Sequence, residues 1–231
     1  MVHASMRRVG GRAEHLVEQL LSVLGPGGTL CAYVDFRPTD AVPFFDVDRS
    51  PAMEDHGVLA EVIRCWPGAV RSVNPGASVA AIGAQAASLC AEHPLNFGYG
   101  PGSPFAKLVE REGQVLLLGS DFDHVTLVHH AEHLATLPDK RVITSEIACA
   151  PTGAVVRIEE FDTSEPVVAG MPDDSIARIT RAFIDAGHAA SGPVGGAQAF
   201  VLPARAFTRF AVDWLESNFG AGATSSRAPT A

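Results

Sequence analysis

The chain has 231 residues, of which 47% are hydrophobic and 19% are charged, and its 26 acidic against 17 basic residues give a formal net charge of −9. This composition is typical of a globular protein, and the acidic balance argues against a sequence-independent hold on nucleic acid, which needs a basic surface. No apolar run approaches the roughly 20 residues of a membrane span, and the opening residues contain no hydrophobic signal core. A cytoplasmic protein of one large or two small domains is expected.

The first half of the chain alternates helical and strand spacing. In chain order it predicts a helix over Glu14–Leu24, a strand over Thr29–Val34, a proline-containing loop over Arg37–Pro51, a helix over Val58–Trp66, a strand over Ser78–Ile82 and a helix over Ala84–Cys90. The cysteines are widely spaced and form no C-x-x-C pair, which indicates reduced thiols in place of a zinc knuckle or a disulfide framework.

The second half continues the alternation without a linker long enough to divide domains. It predicts a helix from Pro104 to Arg111 capped by Ser103, strands over Gln114–Leu118, Val155–Phe161 and Ala199–Leu202, and helices over Val125–Ala135, Ser175–Ala186 and Ala204–Phe219. The expected fold is therefore a single layered α/β domain over residues 1–220, with a mixed β-sheet flanked by helices. Residues 221–231 are predicted to be a disordered tail.

The histidine-rich helix is the strongest functional signal in the chain. At 100° per residue, its polar face carries Val125, Thr126, His129, Glu132 and His133. Solvation alone explains such a face poorly, because exposed helix faces are usually rich in lysine, arginine and glutamate. Imidazole exchanges a proton near neutral pH, so this helix is predicted to carry the chemistry.

Three other chemistries compete with that interpretation. His129, Glu132 and His133 match the H-x-x-E-H pattern of some zinc peptidases, but the pattern is short and needs a third ligand, from His188 or the acidic run after residue 158. The loop over Gly98–Pro104 fits neither phosphate-binding motif. A serine hydrolase is disfavoured as well, because no G-x-S-x-G is present.

Several segments spread over nearly the whole chain carry a family resemblance. They are Met1–Ser5, Gly25–Leu30, Arg71–Ser78, Gly98–Leu108, Val115–Gly119, Thr126–Glu132, Glu159–Thr163 and Trp214–Gly220. In order and spacing they resemble the aminoglycoside 3-N-acetyltransferases, which are unrelated in fold to the common GNAT acetyltransferases. The resemblance implies transfer of an acetyl group from acetyl-CoA to the 3-amino group of a 2-deoxystreptamine aminoglycoside, conferring antibiotic resistance, without a metal ion.

The resemblance also implies residue roles. His129 is expected to be the catalytic base. The acetyl-CoA side is expected to include His3, Ser5 and Ser103, with Thr126 near the acetyl group. The antibiotic side is expected to include Glu159, Glu160 and Asp162, together with Asn74 and Tyr33.

These roles fit the chemistry of the expected substrate. An aminoglycoside is a polycation, so carboxylates would attract it and form charge-assisted hydrogen bonds with its ammonium groups. Its amine must be neutral to attack a thioester, and an imidazole can take the proton. A carboxylate on the other ring nitrogen would orient the imidazole, and either Glu159 or Glu132 could supply it.

The chain departs from the family pattern in three places. Relatives have an opening helix and most of a strand before the Val-His-Ala-Ser segment, so this strand is expected to be truncated and acetyl-CoA binding to be the function most exposed to the loss. The loop over Asp35–Asp48 is shorter, and Asn74 stands where many relatives have histidine. A rival hypothesis is therefore an inactive or CoA-only binding relative.

Overall fold

Residues 1–221 are described in the computed structural model, and they confirm an α/β domain with a mixed sheet. The strands are β1 Val2–Ala4, β2 Thr29–Tyr33, β3 Val70–Arg71, β4 Val79–Gly83, β5 Gln114–Leu118, β6 Val142–Cys149, β7 Ala154–Phe161, β8 Ala190–Val194 and β9 Ala197–Pro203. The helices are α1 Met6–Val9, α2 Ala13–Leu24, α3 Gly57–Arg64, α4 Ala86–Cys90, α5 Pro104–Glu110, α6 Leu127–Leu134, α7 Ser175–Asp185 and α8 Ala204–Phe219. Apart from Ala221, the predicted tail lies outside the described residues.

The strands fall into three sheets and not into one. The principal sheet has the order β1-β5-β9-β8, in which β1 and β5 are parallel and the other neighbours are antiparallel. The second sheet is antiparallel with the order β2-β4-β3, and β6 and β7 form a separate hairpin. Because β1 and β5 run in the same direction, their carboxyl ends meet at one edge, which is where ligands commonly bind in α/β proteins.

The short strand β1 pairs with β5 along its whole length. His3 lies opposite Leu117 in the register, and the amino group of Met1 donates a hydrogen bond of 2.7 Å to the carbonyl of Gln114. The backbone N–H of Ser5 donates to the carbonyl of Leu118 at 2.9 Å. Strand β1 is therefore held in place at the edge where β1 and β5 end.

Helix α6 lies in the centre of the domain, and this position explains its composition. Leu127, Val128 and Ala131 have 0% exposure, and the helix packs against α8. It is shorter than predicted, since Val125 and Thr126 follow a short 3-10 turn over Phe122–His124 and do not belong to the helix itself. Helix α5 begins as predicted, with the Ser103 hydroxyl accepting a hydrogen bond from the N–H of Ala106 at 3.1 Å.

Strand β6 was not predicted. Its outer half is exposed, with Val142 and Ile143 at 50% and 43% exposure, so it has little of the alternation that marks a half-buried strand. It is held by its pairing with β7 and by a small apolar cluster that includes Ile147 and Ile158. Within residues 1–221, no helix is both long enough and apolar enough to cross a membrane.

Candidate active site

His129 and Glu132 form a hydrogen-bonded pair on α6. The imidazole Nδ1 lies 2.8 Å from Glu132 Oε2, and the two side chains are 14% and 5% exposed. The helix brings them together because residues three apart lie on the same face. Since a carboxylate only accepts hydrogen bonds, Nδ1 donates to it, and Nε2 keeps the lone pair that a base requires.

Two cavities adjoin this pair, and among the residues that the structure describes His129 alone lines both. The first cavity has a volume of about 620 Å³ and lies at the carboxyl ends of β1 and β5. The second cavity has a volume of about 540 Å³ and lies between α6 and the start of α7. A molecule in either cavity can therefore reach the same imidazole.

The first cavity has polar walls that carry charges of both signs. Its lining includes the polar side chains of His3, Ser5, Tyr33, His56, Ser120 and Thr126, the guanidinium groups of Arg7 and Arg8, and the carboxylates of Glu54, Asp55, Asp121 and Asp123. Burial lowers the pKa of His3 to about 3, so this ring stays neutral. Its buried Nε2 has no hydrogen-bond partner among residues 1–221, which fits a site whose polar partners arrive with a bound molecule.

The second cavity has acidic walls. Glu132, Glu165 and Asp173 contribute carboxylates, and Thr163 and Ser164 contribute hydroxyl groups. Glu165 is neutralised in part by Arg141, whose guanidinium lies 2.8 Å from its carboxylate. This lining is suited to a cationic ligand, because carboxylates form short charge-assisted hydrogen bonds with ammonium groups.

Comparison with known proteins identifies the family of the chain. A sequence model described as aminoglycoside 3-N-acetyltransferase matches residues 1–216. The chain belongs to this family. A similar relative, aminoglycoside N(3)-acetyltransferase III of Pseudomonas aeruginosa, is 40% identical over 246 residues that cover 97% of this chain and 89% of the relative. The expectation of an acetyltransferase enzyme is thereby confirmed.

Solved structures of the family extend the comparison to ligands. AAC-IIIb in a binary complex with CoASH is 44% identical with a TM-score of 0.91, covering 99% of this chain and 91% of that one. AAC-VIa with bound sisomicin is 34% identical with a TM-score of 0.87, covering 95% of this chain and 91% of that one. The complex with CoASH supports acetyl-CoA as the co-substrate of this acetyltransferase.

In this acetyltransferase, several of the residues singled out from the sequence lie together. The first cavity brings together His3, Ser5, Thr126 and His129, which were expected on the acetyl-CoA side or as the base, and it also contains Tyr33, which was expected on the antibiotic side. Glu132 lines the second cavity beside His129. Their roles in binding and catalysis remain predictions, and the structure supports them by proximity.

Two residues that the sequence placed in the site serve the framework. Ser103 has 0% exposure, lines neither cavity and caps α5. Asn74 is 1% exposed, and its amide group donates to the carbonyls of Pro94 and Leu95. The Asn74 amide is engaged by the backbone at both its nitrogen and its oxygen, whereas the Ser103 hydroxyl accepts one backbone hydrogen bond. The ligand-binding roles of both residues remain predictions.

The three acidic residues around the end of β7 also line neither cavity. Glu159 is 41% exposed and pairs with Arg157, so it is not the carboxylate that contacts His129. Glu160 accepts hydrogen bonds from His133 Nε2 and the N–H of Phe161, both at 2.8 Å. Asp162 pairs with Arg141 at 3.0 Å and also binds Ser164.

The zinc-peptidase alternative lacks a converging set of ligands. His133 points to Glu160, whereas Glu132 is engaged by His129, so the three side chains of the H-x-x-E-H pattern do not meet at one point. Within residues 1–221, no group of three or more His, Cys, Asp or Glu side chains is placed to hold a metal ion.

Two of the acidic residues that line the second cavity, Glu165 and Asp173, were not assigned to the site from the sequence. Asp173 and Glu165 lie in the irregular segment between β7 and α7, where no periodicity relates them to α6. Asp173 precedes a helix, and in a sequence an acidic residue at that position indicates only a helix start. His56 in the first cavity was missed for the same reason, because it lies in a short 3-10 turn before α3.

Proposed function

We propose that this enzyme transfers the acetyl group of acetyl-CoA to the 3-amino group of a 2-deoxystreptamine aminoglycoside, with His129 as general base. The observation that carries the proposal is the position of His129, which is paired with Glu132 and lines both cavities. Such an activity would confer resistance to the antibiotics that it acetylates.

Acetyl-CoA is assigned to the first cavity. Arg7 and Arg8 line it and could contact the phosphates of CoA, although Arg8 is held by Asp121 at 2.7 Å and Glu54, Asp55 and Asp123 lie in the same wall. The assignment therefore rests on the position of the cavity at the carboxyl ends of β1 and β5 and not on its net charge. The related AAC-IIIb binds CoASH, which supports the same co-substrate here. Because β1 pairs fully with β5, His3 and Ser5 are in place, which argues against a relative that has lost this site.

The aminoglycoside is assigned to the second cavity. Its carboxylates would hold the ammonium groups of the antibiotic and orient one amine toward His129. The related AAC-VIa binds sisomicin, which supports an antibiotic of this class as the acceptor. The two substrates would then meet at the imidazole from opposite sides.

The reaction follows from this arrangement. The neutral amine attacks the thioester carbon while His129 Nε2 takes its proton, a step typically worth about 10²- to 10⁴-fold in rate. The carboxylate of Glu132 stabilises the imidazolium that forms. The C–N bond forms, the C–S bond breaks, and CoA leaves as a thiolate that takes up the proton.

The thioester oxygen needs a hydrogen-bond donor while it carries negative charge. Thr126 is the candidate, since it lines the first cavity one turn before His129. The backbone N–H of Ser5 is excluded because it already donates to Leu118. Within the described residues, no cysteine lines either cavity, so direct attack is favoured over an acetyl-cysteine intermediate.

The test of the proposed function is thiol release from acetyl-CoA in the presence of a panel of aminoglycosides. Release that depends on the antibiotic, with a product acetylated at the 3-amino group, is expected. A folded protein that binds CoA and releases no thiol with any aminoglycoside would instead support the CoA-only alternative.

Asp173→Asn should weaken antibiotic binding in a salt-dependent way. We expect the KM for the antibiotic to rise about 3- to 10-fold at low ionic strength, since a charge-assisted contact of a partly exposed group is worth roughly 0.5–1.5 kcal/mol. The effect should shrink at high salt, which screens the attraction. The measurement is KM at several ionic strengths.

Asp174→Asn provides the matched control. This neighbouring carboxylate lines neither cavity and pairs with Arg178 at 2.7 Å on the surface of α7. Its loss changes the net charge equally and should leave the KM within twofold. Equal effects of the two substitutions at every ionic strength would show that Asp173 acts only through the overall charge.

A further inference from the structure

The hydroxyl groups of two tyrosines are hydrogen-bonded to each other close to His129, the proposed base. Tyr33 lies at the end of β2 and Tyr99 in the glycine-rich loop before α5, and their hydroxyl oxygens are 2.5 Å apart. Both hydroxyls also reach the carbonyl oxygen of Gly76, at 3.3 and 3.2 Å. The two hydroxyl groups are thus both held by the backbone carbonyl of Gly76.

Tyr99 contacts α6 at two places. Its ring centroid lies 5.2 Å from that of His129, with 59° between the planes. Its backbone carbonyl accepts a hydrogen bond of 2.7 Å from Nδ1 of His130, the next residue of the helix. Tyr99 is 2% exposed and therefore has little freedom to move, so the packing of its ring against the His129 imidazole restricts the imidazole as well.

Tyr33 extends the same arrangement to the wall of the first cavity. Its ring meets the His56 ring edge-on, with centroids 4.6 Å apart, and both side chains line that cavity. His56 is itself hydrogen-bonded to Asp35. In the cavity wall, the His56 ring contacts the Tyr33 ring. The Tyr33 hydroxyl is hydrogen-bonded to the Tyr99 hydroxyl, and the Tyr99 ring in turn contacts His129.

As the proposed base, His129 needs the contact with the Tyr99 ring in addition to its hydrogen bond with Glu132. The hydrogen bond from Nδ1 to Glu132 fixes one ring nitrogen and still permits the ring to tilt about that bond. A catalytic group has to be held within about 0.5 Å of its productive position, and a 1 Å displacement can cost roughly 10²-fold in rate. Burial raises the pKa of both phenols well above the ordinary value, so the hydroxyls keep their protons.

We propose that the hydroxyl pair of Tyr33 and Tyr99 positions the His129 imidazole for proton transfer. The tyrosines are positioning residues, since they act through His129 and not on the reacting atoms. This inference rests on the proposed function.

The test uses Tyr33→Phe, Tyr99→Phe and the double variant, each of which keeps the rings and removes hydroxyl groups. Each single change should lower kcat about 3- to 10-fold. For Tyr99→Phe the KM values for acetyl-CoA and antibiotic should stay within twofold, because Tyr99 lines neither cavity. Because both changes break the same hydrogen bond, the double variant should lose little more than either single variant. A merely structural role would lower the melting temperature and leave the kcat of the folded enzyme unchanged.

Thr208→Val is the matched control. The Thr208 hydroxyl on α8 is also buried, has no hydrogen-bond partner among residues 1–221 and lines neither cavity, so kcat should not change. Unchanged kcat in both folded tyrosine variants, or losses that multiply in the double variant, would overturn the positioning role alone. A wild type without antibiotic-dependent thiol release would overturn the proposed function and this inference with it.

Discussion

Replacing His129 with alanine should lower kcat for antibiotic acetylation by about 10²- to 10⁴-fold, the range that general base catalysis contributes. The imidazole is the only described side chain that borders both cavities, so its removal takes away the group proposed to accept the proton of the attacking amine between the two substrates. The binding of CoA should persist, since the walls of the first cavity remain. The measurements are thiol release and the Kd for CoA.

His15→Ala is the matched control for that substitution. His15 and Glu18 have the same spacing as His129 and Glu132, with 3.5 Å between Nδ1 of His15 and Oε2 of Glu18, but they are 69% and 62% exposed on α2. The loss of this pair should leave kcat unchanged. A His129→Ala enzyme that keeps near-normal kcat would show that another group accepts the proton.

Glu132→Gln should lower kcat by roughly 10²-fold or more, because an amide can hold the imidazole in the wrong tautomer and does not stabilise the imidazolium. Glu132 is 4% exposed, so water cannot easily replace its carboxylate. KM for acetyl-CoA should change little, since Glu132 faces the second cavity. Steady-state kinetics with each substrate varied separates the two effects.

Glu159→Gln decides between the two carboxylates that the sequence left open. Glu159 contacts Arg157 near the exposed end of the hairpin and lines neither cavity. Its substitution should therefore leave kcat within twofold. The opposite outcome, a large loss with Glu159→Gln and a small one with Glu132→Gln, would assign the orienting role to Glu159.

The parts of the fold with strong periodicity could be predicted from the sequence. Strand β5 and helices α2, α5 and α8 lie close to their predicted bounds, because an apolar face or a capping residue marks each of them. Strand β8 could not be predicted, since it contains Gly192 and Pro193, which are tolerated there only because β8 is at the edge of its sheet.

The residues of the candidate site also divide into those that a local sequence pattern predicts and those that depend on the tertiary fold. Thr126, His129 and Glu132 lie within two helical turns, so helical spacing alone places them together. The choice between Glu132 and Glu159 needs the relation of β7 to α6, which no local pattern contains. Asn74 shows the limit of a family motif, because the motif predicts a contact with the antibiotic, whereas in this structure the amide donates to backbone carbonyls.

The central claim is direct transfer of the acetyl group to the antibiotic at His129. The measurement that tests it most directly is thiol release from labelled acetyl-CoA, with and without an aminoglycoside, followed by NMR of the product. We predict no release and no labelled protein without antibiotic, and an acetyl group on the 3-amino nitrogen with it. A stoichiometric burst of thiol with labelled protein in the absence of antibiotic would contradict direct transfer, and acetylation of another nitrogen would contradict the proposed orientation of the acceptor.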